Sequence, residues 1–468
     1  MKSRCPLLLL LVLTALVLCF CACDSTPAEA ETTDHGTADG TTAAPTETPT
    51  EESTEAITPE ATEAHTEAET DPPAAEKPYT LTATEGENGL DFIIDFPAGK
   101  DLVILQLADI QLQTLKGART PERRSQLSGA YFTGFPSGKR NDHDFRAWRY
   151  VEEAIEKVKP DLILLTGDLV YGRYDATGEI LTAYIEFMES FGIPWAPVFG
   201  NHDNESEMGV AWQCAQLEAA EHCLFKRGSV TGNGNYTVGI AQGDKLLRVF
   251  YMMDSNGCGA PSAASAADVK TGVGFEKDQI DWYTADIAAL RELAPDVKIS
   301  FAFHVQLRVF GEVLDKYDEY AKTWTDDIYK TYEKVWIDKL ENADEGDFGI
   351  IGAELKNDWG TSAQVFEGLV ALGVDSIFVG HEHCNSFSIV YEGVRLQYGQ
   401  KSSAYDRYNW ITPDGAMGSG WDNGTQSWNG PVGSTPLVGG TVIPLSQSGD
   451  LLMGYIYLCG EIPPYQNK

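Results

Sequence analysis

Basic residues are scarce in this 468-residue sequence: Lys and Arg number 34 against 70 Asp and Glu, which gives a formal net charge of −36. Because a nucleic-acid-binding surface is normally basic, this balance argues against such a surface and disfavours polyanions such as RNA or DNA as substrates. Small nucleotides are not excluded. The charge is also uneven, since residues 24–78 contain fifteen acidic residues and a single basic one, Lys77.

The apolar run at the N-terminus is short. Leu7–Leu18 provides about a dozen almost purely apolar residues, fewer than the roughly 20 that a membrane-spanning helix needs. With Lys2 and Arg4 before it, this run is typical of the core of a signal peptide. The sequence therefore argues against a soluble cytosolic protein.

The segment that follows, Leu18–Cys23, resembles a bacterial lipobox, in which a signal peptidase cuts before a cysteine that becomes lipidated. We expect Cys23 to carry the lipid, which makes residues 1–23 the lipoprotein signal peptide. Phe20 stands where the pattern prefers Leu, so Cys21 and Cys19 are alternatives. A plain secretory signal or an uncleaved anchor are the other interpretations.

Cysteines are too few and too irregularly spaced to define a function. Of the nine in the sequence, five follow the leader, and an odd number leaves at least one unpaired or paired between chains. No C-x-x-C zinc pattern is present, although the first two of the five are close enough in sequence for a local disulfide. The five are Cys214, Cys223, Cys258, Cys384 and Cys459.

Residues 24–78 are built from Thr, Glu, Ala and Pro, with Ile57 as the only large aliphatic residue. Such a segment cannot bury enough apolar surface to offset its ordering entropy, so we expect a disordered tether. From Tyr79 to the end, residues 79–468, the composition is that of a globular domain.

Within this domain, apolar runs alternate with helical patterns, which indicates an α/β fold. The stretch Tyr408–Pro436, rich in Gly, Trp and Asn, has the composition of a long loop. A strand-rich region extends through Met253, and short strands are expected after Val379. The other predicted strands are Leu102–Leu107, Leu162–Leu165, Trp195–Phe199, Lys298–Phe303 and Asp375–Val379, and the predicted helices are Asp144–Lys159, Glu179–Phe191, Val210–Glu221, Lys277–Leu293 and Ser362–Leu372.

Polar residues capable of metal binding follow five of the predicted strands. In open α/β sheets, ligands bind beyond the carboxyl ends of the strands, so these residues are expected at one rim. The five sequences are Asp109-Ile-Gln111, Gly167-Asp168, Gly200-Asn-His-Asp203, Phe303-His304 and Gly380-His-Glu-His383.

Each of these signals is weak by itself. A Gly-Asp pair after a strand is usually a turn, and a single histidine such as His304 is more often a core or capping residue than a ligand. The last motif is more informative, because His381 and His383 are separated by one residue and project to the same side.

In order and identity, the five motifs resemble those of the calcineurin-like metallophosphoesterase superfamily, D-x-H, G-D, G-N-H-[DE], H and G-H-x-H. The resemblance spans residues 101–400. The sequences Pro194–Asp203, Gly274–Gln279 and Tyr398–Lys401 are similar to a branch that includes yeast and plant purple-acid-phosphatase-like proteins. The resemblance implies a β-sandwich of two mixed sheets flanked by helices, and hydrolysis of phosphate esters at two divalent metal ions (Mn, Fe, Zn or Co).

The resemblance also implies a ligand for each position. Asp109 and His383 would hold the first ion, and Asp168 would bridge the two. The second ion would be held by Asn201, His304 and His381.

The next two residues of the third motif would act on the substrate instead. The resemblance implies that His202 faces the substrate and protonates the leaving oxygen or stabilises developing charge. Asp203 is expected to orient the ring of His202, since a carboxylate beside an imidazole fixes its tautomer. Two ions about 3.5–4 Å apart would neutralise phosphate charge and activate the attacking water.

The first motif departs from the family at Gln111, where histidine is usual. An amide oxygen binds metal more weakly than an imidazole, so we expect either a weak ligand or a hydrogen bond to the metal-bound water. Substrate contacts are expected from Tyr398, Gln400 and Lys401. The alternatives are three arginines after the first motif, Arg119, Arg123 and Arg124, and for every basic residue an ordinary surface charge.

The sequence thus predicts a lipid-anchored phosphomonoesterase or phosphodiesterase on the outer face of a bacterial membrane, acting on a small phosphorylated substrate. The alternative is a non-catalytic surface binding protein on a degenerate scaffold, suggested by Gln111. A third hypothesis, a carbohydrate-binding lipoprotein, depends only on Trp410, Trp421 and Trp428.

Overall fold

The computed structural model describes residues 79–83, 90–113, 143–243, 245–257, 260–323, 329–355, 359–404, 407–421, 431 and 433–460. The predicted leader, lipid attachment at Cys23 and tether therefore lie outside the described residues. So do the arginines considered as alternative substrate contacts, Arg119, Arg123 and Arg124. No helix among the residues described is both long and apolar enough to cross a membrane.

The described residues form nineteen strands. They are β1 (Thr80–Ala83), β2 (Phe92–Phe96), β3 (Leu102–Leu107), β4 (Leu162–Thr166), β5 (Trp195–Val198), β6 (Tyr236–Gln242), β7 (Lys245–Met252), β8 (Lys298–Ala302), β9 (Ala321–Thr323), β10 (Tyr329–Trp336), β11 (Phe348–Leu355), β12 (Ser376–Val379), β13 (Ser386–Tyr391), β14 (Val394–Tyr398), β15 (Arg407–Ile411), β16 (Met417–Trp421), β17 (Thr435–Leu437), β18 (Gly439–Leu445) and β19 (Tyr455–Leu458).

Two large mixed sheets contain most of these strands. One has eleven strands in the order β1-β2-β6-β7-β8-β12-β14-β13-β11-β10-β9, and the other has five in the order β19-β18-β3-β4-β5. In the first, β7, β8, β12 and β14 run parallel; in the second, β3, β4 and β5 do. The remaining three strands form a small sheet in the order β16-β15-β17.

Within the described ranges six α-helices accompany the sheets, and short 3₁₀ turns occur between them. The α-helices are α1 (His143–Val158), α2 (Glu179–Glu189), α3 (Val210–Glu218), α4 (Lys277–Leu293), α5 (Val309–Glu312) and α6 (Ser362–Ala371). The start of α4 is fixed by a capping box, in which the side chains of Glu276 and Gln279 bond reciprocally to backbone groups of the first turn.

The two large sheets face each other across one hydrophobic core. Leu105 and Ile163 of the smaller sheet share this core with Phe250 and Phe378 of the larger one, and α1 packs on the far side through Trp148. A second core lies on the other face of the eleven-stranded sheet, beneath α4 and α6. The predicted β-sandwich of two mixed sheets flanked by helices is therefore confirmed. Continuous apolar runs such as β4 follow from this arrangement, since both faces of that strand are covered.

Sequence patterns located the elements that lead to the motifs. The five predicted strands end within one residue of the observed bounds, and the five predicted helices within three. The prediction of a loop over Tyr408–Pro436 was wrong, because β15, β16 and the start of β17 lie in it. Strands β9 to β11 were not foreseen. The local disulfide is absent, since Cys214 and Cys223 are buried free thiols.

An ion pair with a buried guanidinium fixes the amino ends of the central parallel strands, opposite the motifs. The guanidinium of Arg248, on β7, is buried and donates to both carboxylate oxygens of Asp375 at 2.6 and 2.8 Å. It also donates to the hydroxyl of Ser300 in β8 and to the carbonyl of Gly449. Three segments of the chain are thereby joined through a single side chain.

We expect the substitution Asp375→Ala to lower the free energy of unfolding by about 3 kcal/mol, because it leaves a buried guanidinium without its counter-charge. Urea denaturation of the purified chain measures the loss. The matched control is Asp281→Ala, which removes an exposed carboxylate paired with Lys277 on α4 and should change stability by less than about 1 kcal/mol. Equal losses in the two variants would contradict the prediction.

Candidate metal centre

Five strands carry polar side chains at their carboxyl ends, and the two sheets bring these ends together. Asp109, Asp168 and Asn201 follow the parallel strands β3, β4 and β5. His304 and His381 follow β8 and β12, which are parallel in the other sheet. Because parallel strands end at the same edge, each sheet presents its set at one edge, and these edges adjoin.

The backbone at the site adopts conformations that side chains rarely take. Asp109, Gln111, Asp168 and His381 have φ values of 54°, 50°, 54° and 81°. Among the described residues only three other non-glycine positions have positive φ, so this left-handed backbone is concentrated at the site. Concentrated backbone strain of this kind is typical of functional sites.

Two glycines of the motifs are required by close approach. A Cβ atom on Gly200 would overlap the carboxylate of Asp168, and one on Gly380 would lie 2.9 Å from Oδ2 of Asp109. Each glycine thus gives room for a carboxylate that arrives from another strand. The motifs are therefore coupled to each other sterically.

Two carboxylates and an imidazole form the centre of the cluster. Asp109, Asp168 and His304 are buried, and one ligand atom from each lies within 4.8 Å of the others. A group of this composition and spacing is able to hold a metal ion.

The ring of His304 is oriented by the backbone. Its Nδ1 lies 2.8 Å from the carbonyl oxygen of Thr166, which can accept but not donate a hydrogen bond. Nδ1 therefore donates to this carbonyl, and Nε2 is the ring nitrogen directed into the cluster. Nε2 lies 3.0 Å from Oδ1 of Asn201 and 3.5 Å from Oδ2 of Asp168. Such a backbone partner is the usual support of a metal-binding histidine.

The remaining predicted ligands complete the cluster. Nδ1 of His381 lies 2.9 Å from Oδ1 of Asn201, so this oxygen stands between two imidazoles. The backbone N–H of His381 donates to both carboxylate oxygens of Asp109. Nε2 of His383 lies 3.4 Å from Oδ1 of the same carboxylate. The structure thus brings six predicted ligands together, while their binding of metal stays a prediction.

The pKa shifts of Asp109, Asp168 and His381 favour the protonation states that metal ligands need. Burial alone would raise the pKa of Asp109, but the hydrogen bond and charge of His383, with the charges of His304 and Lys401, hold the pKa below its usual range. Burial likewise opposes the net lowering of the pKa of Asp168, which is produced mainly by His304. Burial, with the charge of His304, lowers the pKa of His381 to about 3. The carboxylates are therefore ionised and this imidazole neutral at pH 7.

Both ends of the Gln111 amide have partners within the chain. Its Nε2 donates to Oδ2 of Asp168 at 3.0 Å, and its Oε1 accepts from Nζ of Lys401 at 3.2 Å. The amide oxygen, which alone could bind a metal, is thus directed to an ammonium group. The prediction of Gln111 as a ligand is not supported by this geometry.

The carboxylate of Asp203 binds backbone N–H groups. Its carboxylate accepts the backbone N–H groups of Asp168, Val170 and Gly200 at 2.9, 3.0 and 2.7 Å. Burial and the charge of Asp168 raise its pKa. It therefore shapes the loops that carry the ligands, and the expectation that it orients His202 is corrected.

The ring of His202 instead lies against two residues that the sequence did not single out. Nδ1 lies 3.2 Å from Oε1 of Glu205, and the ring packs against that of Tyr171 with centroids 4.0 Å apart. Arg173 contacts both of these residues. Its Cζ lies 4.6 Å from the centroid of the Tyr171 ring, and its Nε lies 3.4 Å from Oε2 of Glu205. The spacing of His202 and Glu205, three residues apart in a turn, was the available signal.

The predicted substrate contacts are buried. Tyr398 packs against Phe310 with ring centroids 5.6 Å apart, and Gln400 donates to the carbonyl of Leu437 at 2.8 Å. Lys401 is buried and donates to the carbonyl of Asp109 at 2.8 Å as well as to Gln111. These contacts support the loops of the site, so the expectation that the three residues reach substrate is corrected.

Known proteins share this sequence pattern. The family described as calcineurin-like phosphoesterase matches residues 102–385. The protein named "Probable inactive purple acid phosphatase 29" of Arabidopsis thaliana is 25% identical over 342 residues, covering 67% of this chain and 76% of that protein. "Phosphatase DCR2" of Saccharomyces cerevisiae is 22% identical over 299 residues, covering 61% of this chain and 44% of the yeast protein.

Among solved structures, GAP50, titled the anchor in the inner membrane complex of Plasmodium, matches with a TM-score of 0.37 and 11% identity. The match covers 78% of this chain and 91% of that one. The plant and yeast relatives confirm the predicted similarity to purple-acid-phosphatase-like proteins.

We expect a divalent ion such as Mn²⁺ to stabilise the folded chain, because the cluster exists only when both sheets are in place. At about 100 times its Kd, an ion should add about 2.7 kcal/mol to the free energy of unfolding. Differential scanning fluorimetry with and without a chelator measures the shift.

The substitution His304→Ala should abolish most of this stabilisation. His222→Ala is the matched control, since that ring contacts the hydroxyl of Tyr79 outside the cluster and should leave the response intact. Stabilisation by Mn²⁺ that survives in His304→Ala would show that the ion binds elsewhere.

Proposed function

The chain belongs to the calcineurin-like phosphoesterase family, and on that basis we propose that it is a metal-dependent hydrolase of phosphate monoesters or diesters. The observation that carries this proposal is the convergence of ionised carboxylates and a neutral imidazole from two sheets on one buried cluster. Mixed carboxylate, amide and imidazole donors suit the borderline ions Mn, Fe, Zn and Co. Family resemblance implies two such ions.

Divalent ions held by these side chains would neutralise the charge of a phosphate ester and activate water. Asp168 has a ligand atom near both Asp109 and His304, which suits the bridging role. Asn201 with His304 and His381 would hold one ion, and Asp109 with His383 the other.

His202 is proposed as the group that donates a proton to the leaving oxygen. Its ring is partly exposed, and its backbone N–H donates to Oδ1 of Asp168 at 2.9 Å. The side chain therefore stands beside the metal cluster without belonging to it. Oε1 of Glu205 lies 3.2 Å from Nδ1, so an ionised Glu205 would attract a positively charged ring, and a charged imidazole in a fixed position is a suitable acid.

Arg173 is proposed as the cation that meets the substrate phosphate. Its side chain is 39% exposed and ordered by Tyr171 and Glu205, the same two residues that the His202 ring lies against. A guanidinium fixed in this way presents its remaining donors to an anion with little further loss of entropy.

A non-catalytic binding protein is the alternative, favoured by the direction of the Gln111 amide oxygen, which faces Lys401 and not the cluster. The names of the relatives point in both directions, one plant protein being called probably inactive and the yeast protein a phosphatase. The chain spans less than half of that yeast protein.

The proposed setting is the outer face of a bacterial membrane, with a lipid on Cys23 and residues 24–78 as the tether. The proposed substrate is a small phosphorylated molecule, because the acidic chain repels polyanions. A nucleic-acid-binding surface is not part of the proposal. Mass spectrometry of the mature N-terminus tests the lipid attachment.

We expect the purified full-length chain, supplied with Mn²⁺ or Zn²⁺, to hydrolyse p-nitrophenyl phosphate or its bis-ester. The substitution Asp168→Asn should reduce kcat/KM at least about a hundredfold, since even supporting residues of metal ligands are worth 10- to 100-fold. The control Asp281→Asn, on the exposed face of α4, should retain activity. Absence of turnover on both esters by the metal-loaded chain would favour the non-catalytic alternative.

We expect Glu205→Gln to lower kcat without weakening metal binding, because it removes the negative charge beside Nδ1 of His202. The loss should be greater for phenyl phosphate than for p-nitrophenyl phosphate, since a poor leaving group depends more on protonation. Steady-state kinetics on the two substrates measure this difference. Glu207→Gln, an exposed neighbour, is the control, and an equal loss on both substrates would refute this role of Glu205.

A further inference from the structure

Gln111 is held at both ends of its amide. Nε2 donates to Oδ2 of Asp168 and Oε1 accepts from Nζ of Lys401, at 3.0 and 3.2 Å. Both Gln111 and Lys401 are buried, and the ammonium is anchored further by the carbonyl oxygen of Asp109 at 2.8 Å. The amide is therefore fixed with its nitrogen toward the carboxylate cluster and its oxygen toward Lys401.

In this orientation Gln111 offers no ligand atom to a metal ion at the cluster. The nitrogen of an amide has no lone pair available to a cation, and in Gln111 it faces the carboxylate of Asp168 as a donor. Rotating the amide would bring the oxygen toward that carboxylate, where the two oxygens repel, and the NH₂ group toward an ammonium. Lys401 thus keeps the only useful ligand atom of Gln111 away from a metal.

Lys401 also changes the charge of the cluster. Asp109 and Asp168 are the two carboxylates among the predicted ligands, and the ammonium lies 2.8 Å from the carbonyl oxygen of Asp109. One divalent ion together with this ammonium exceeds the negative charge of the two carboxylates. A second divalent ion beside Asp109 would then be repelled by both cations in a poorly solvated site.

The opposite half of the cluster lacks this obstacle. Oδ1 of Asn201 lies 3.0 Å from Nε2 of His304 and 2.9 Å from Nδ1 of His381. The His304 ring is fixed by Thr166 with Nε2 directed inward, and Asp168 adds a carboxylate. Four donors of suitable type therefore converge there.

We infer that the two metal positions are unequal: one ion is held tightly by Asp168, Asn201, His304 and His381, and the Gln111–Lys401 pair weakens the position at Asp109 and His383. The inference deepens the proposed function and rests on its metal centre. It assigns Lys401 the role of an internal cation that partly replaces the second ion.

The test is titration of the chelator-treated full-length chain with Mn²⁺, followed by isothermal calorimetry and electron paramagnetic resonance. One Mn²⁺ per chain should bind first and give the spectrum of isolated ions. A second should bind at least about tenfold more weakly, and only then should the spectrum of an exchange-coupled pair develop.

Two substitutions should remove the asymmetry by different routes. Gln111→His supplies an imidazole lone pair at the weak position, and Lys401→Met removes the ammonium and releases the amide. Each should tighten binding of the second ion by about 10- to 100-fold. Lys298→Met is the control, because this half-exposed lysine pairs with Asp450 at the other end of β8 and should change neither affinity.

The outcomes separate this inference from the proposed function. Two Mn²⁺ ions bound by the unsubstituted chain with equal affinity would overturn the inference and leave metal-dependent hydrolysis intact. No bound Mn²⁺ would overturn both. Unchanged affinity for the second ion in Gln111→His would refute the role of the Gln111–Lys401 pair. This test remains decisive even if Lys401→Met does not fold.

Discussion

Two neighbouring carboxylates, those of Asp109 and Asp168, are buried, and the rest of the site depends on this constraint. Ionised groups removed from water need partners, and each of these has several. Asp109 receives the backbone N–H of His381, and Asp168 receives that of His202 and the amide of Gln111. Imidazoles and a lysine supply the remaining compensation. The loops are shaped around these acids, as shown by the left-handed backbone at both of them.

The five-stranded and eleven-stranded sheets contribute different chemistry to this cluster. The smaller sheet provides oxygen donors, from Asp109, Asp168 and Asn201, and the larger provides nitrogen donors from three histidines. Neither sheet holds a complete set, so the cluster forms only where the two edges adjoin. Gln106 of β3 reinforces this junction by donating to the carbonyl of Val379 at the end of β12. Fold and site are thus specified together.

The sequence predicted the ligand cluster well because each motif is local: a short apolar strand followed by a polar residue. It failed where a side chain's direction depends on other segments. Tyr398 and Lys401 are near the last motif in sequence, yet both face inward. The loop prediction over Tyr408–Pro436 was wrong because it relied on glycine content. Gly418 of β16 lies opposite Trp410 of β15, and the Trp410 ring occupies the space that a Cβ on residue 418 would need. Glycine there serves the packing of a strand, and a composition rule cannot distinguish that from a turn.

The separation of donors between two sheets has a thermodynamic consequence. Asn201 follows a strand of one sheet and His304 a strand of the other, so an ion held by both residues would also stabilise the packing between the sheets. By the same linkage, any change that loosens the shared core lowers metal affinity without touching a ligand. Lys401 contributes to the junction in the unliganded chain, since it joins the segment after β14 to Asp109 after β3. An internal cation that holds the sheets together before metal arrives would keep the site assembled, at the expense of affinity for an ion beside it.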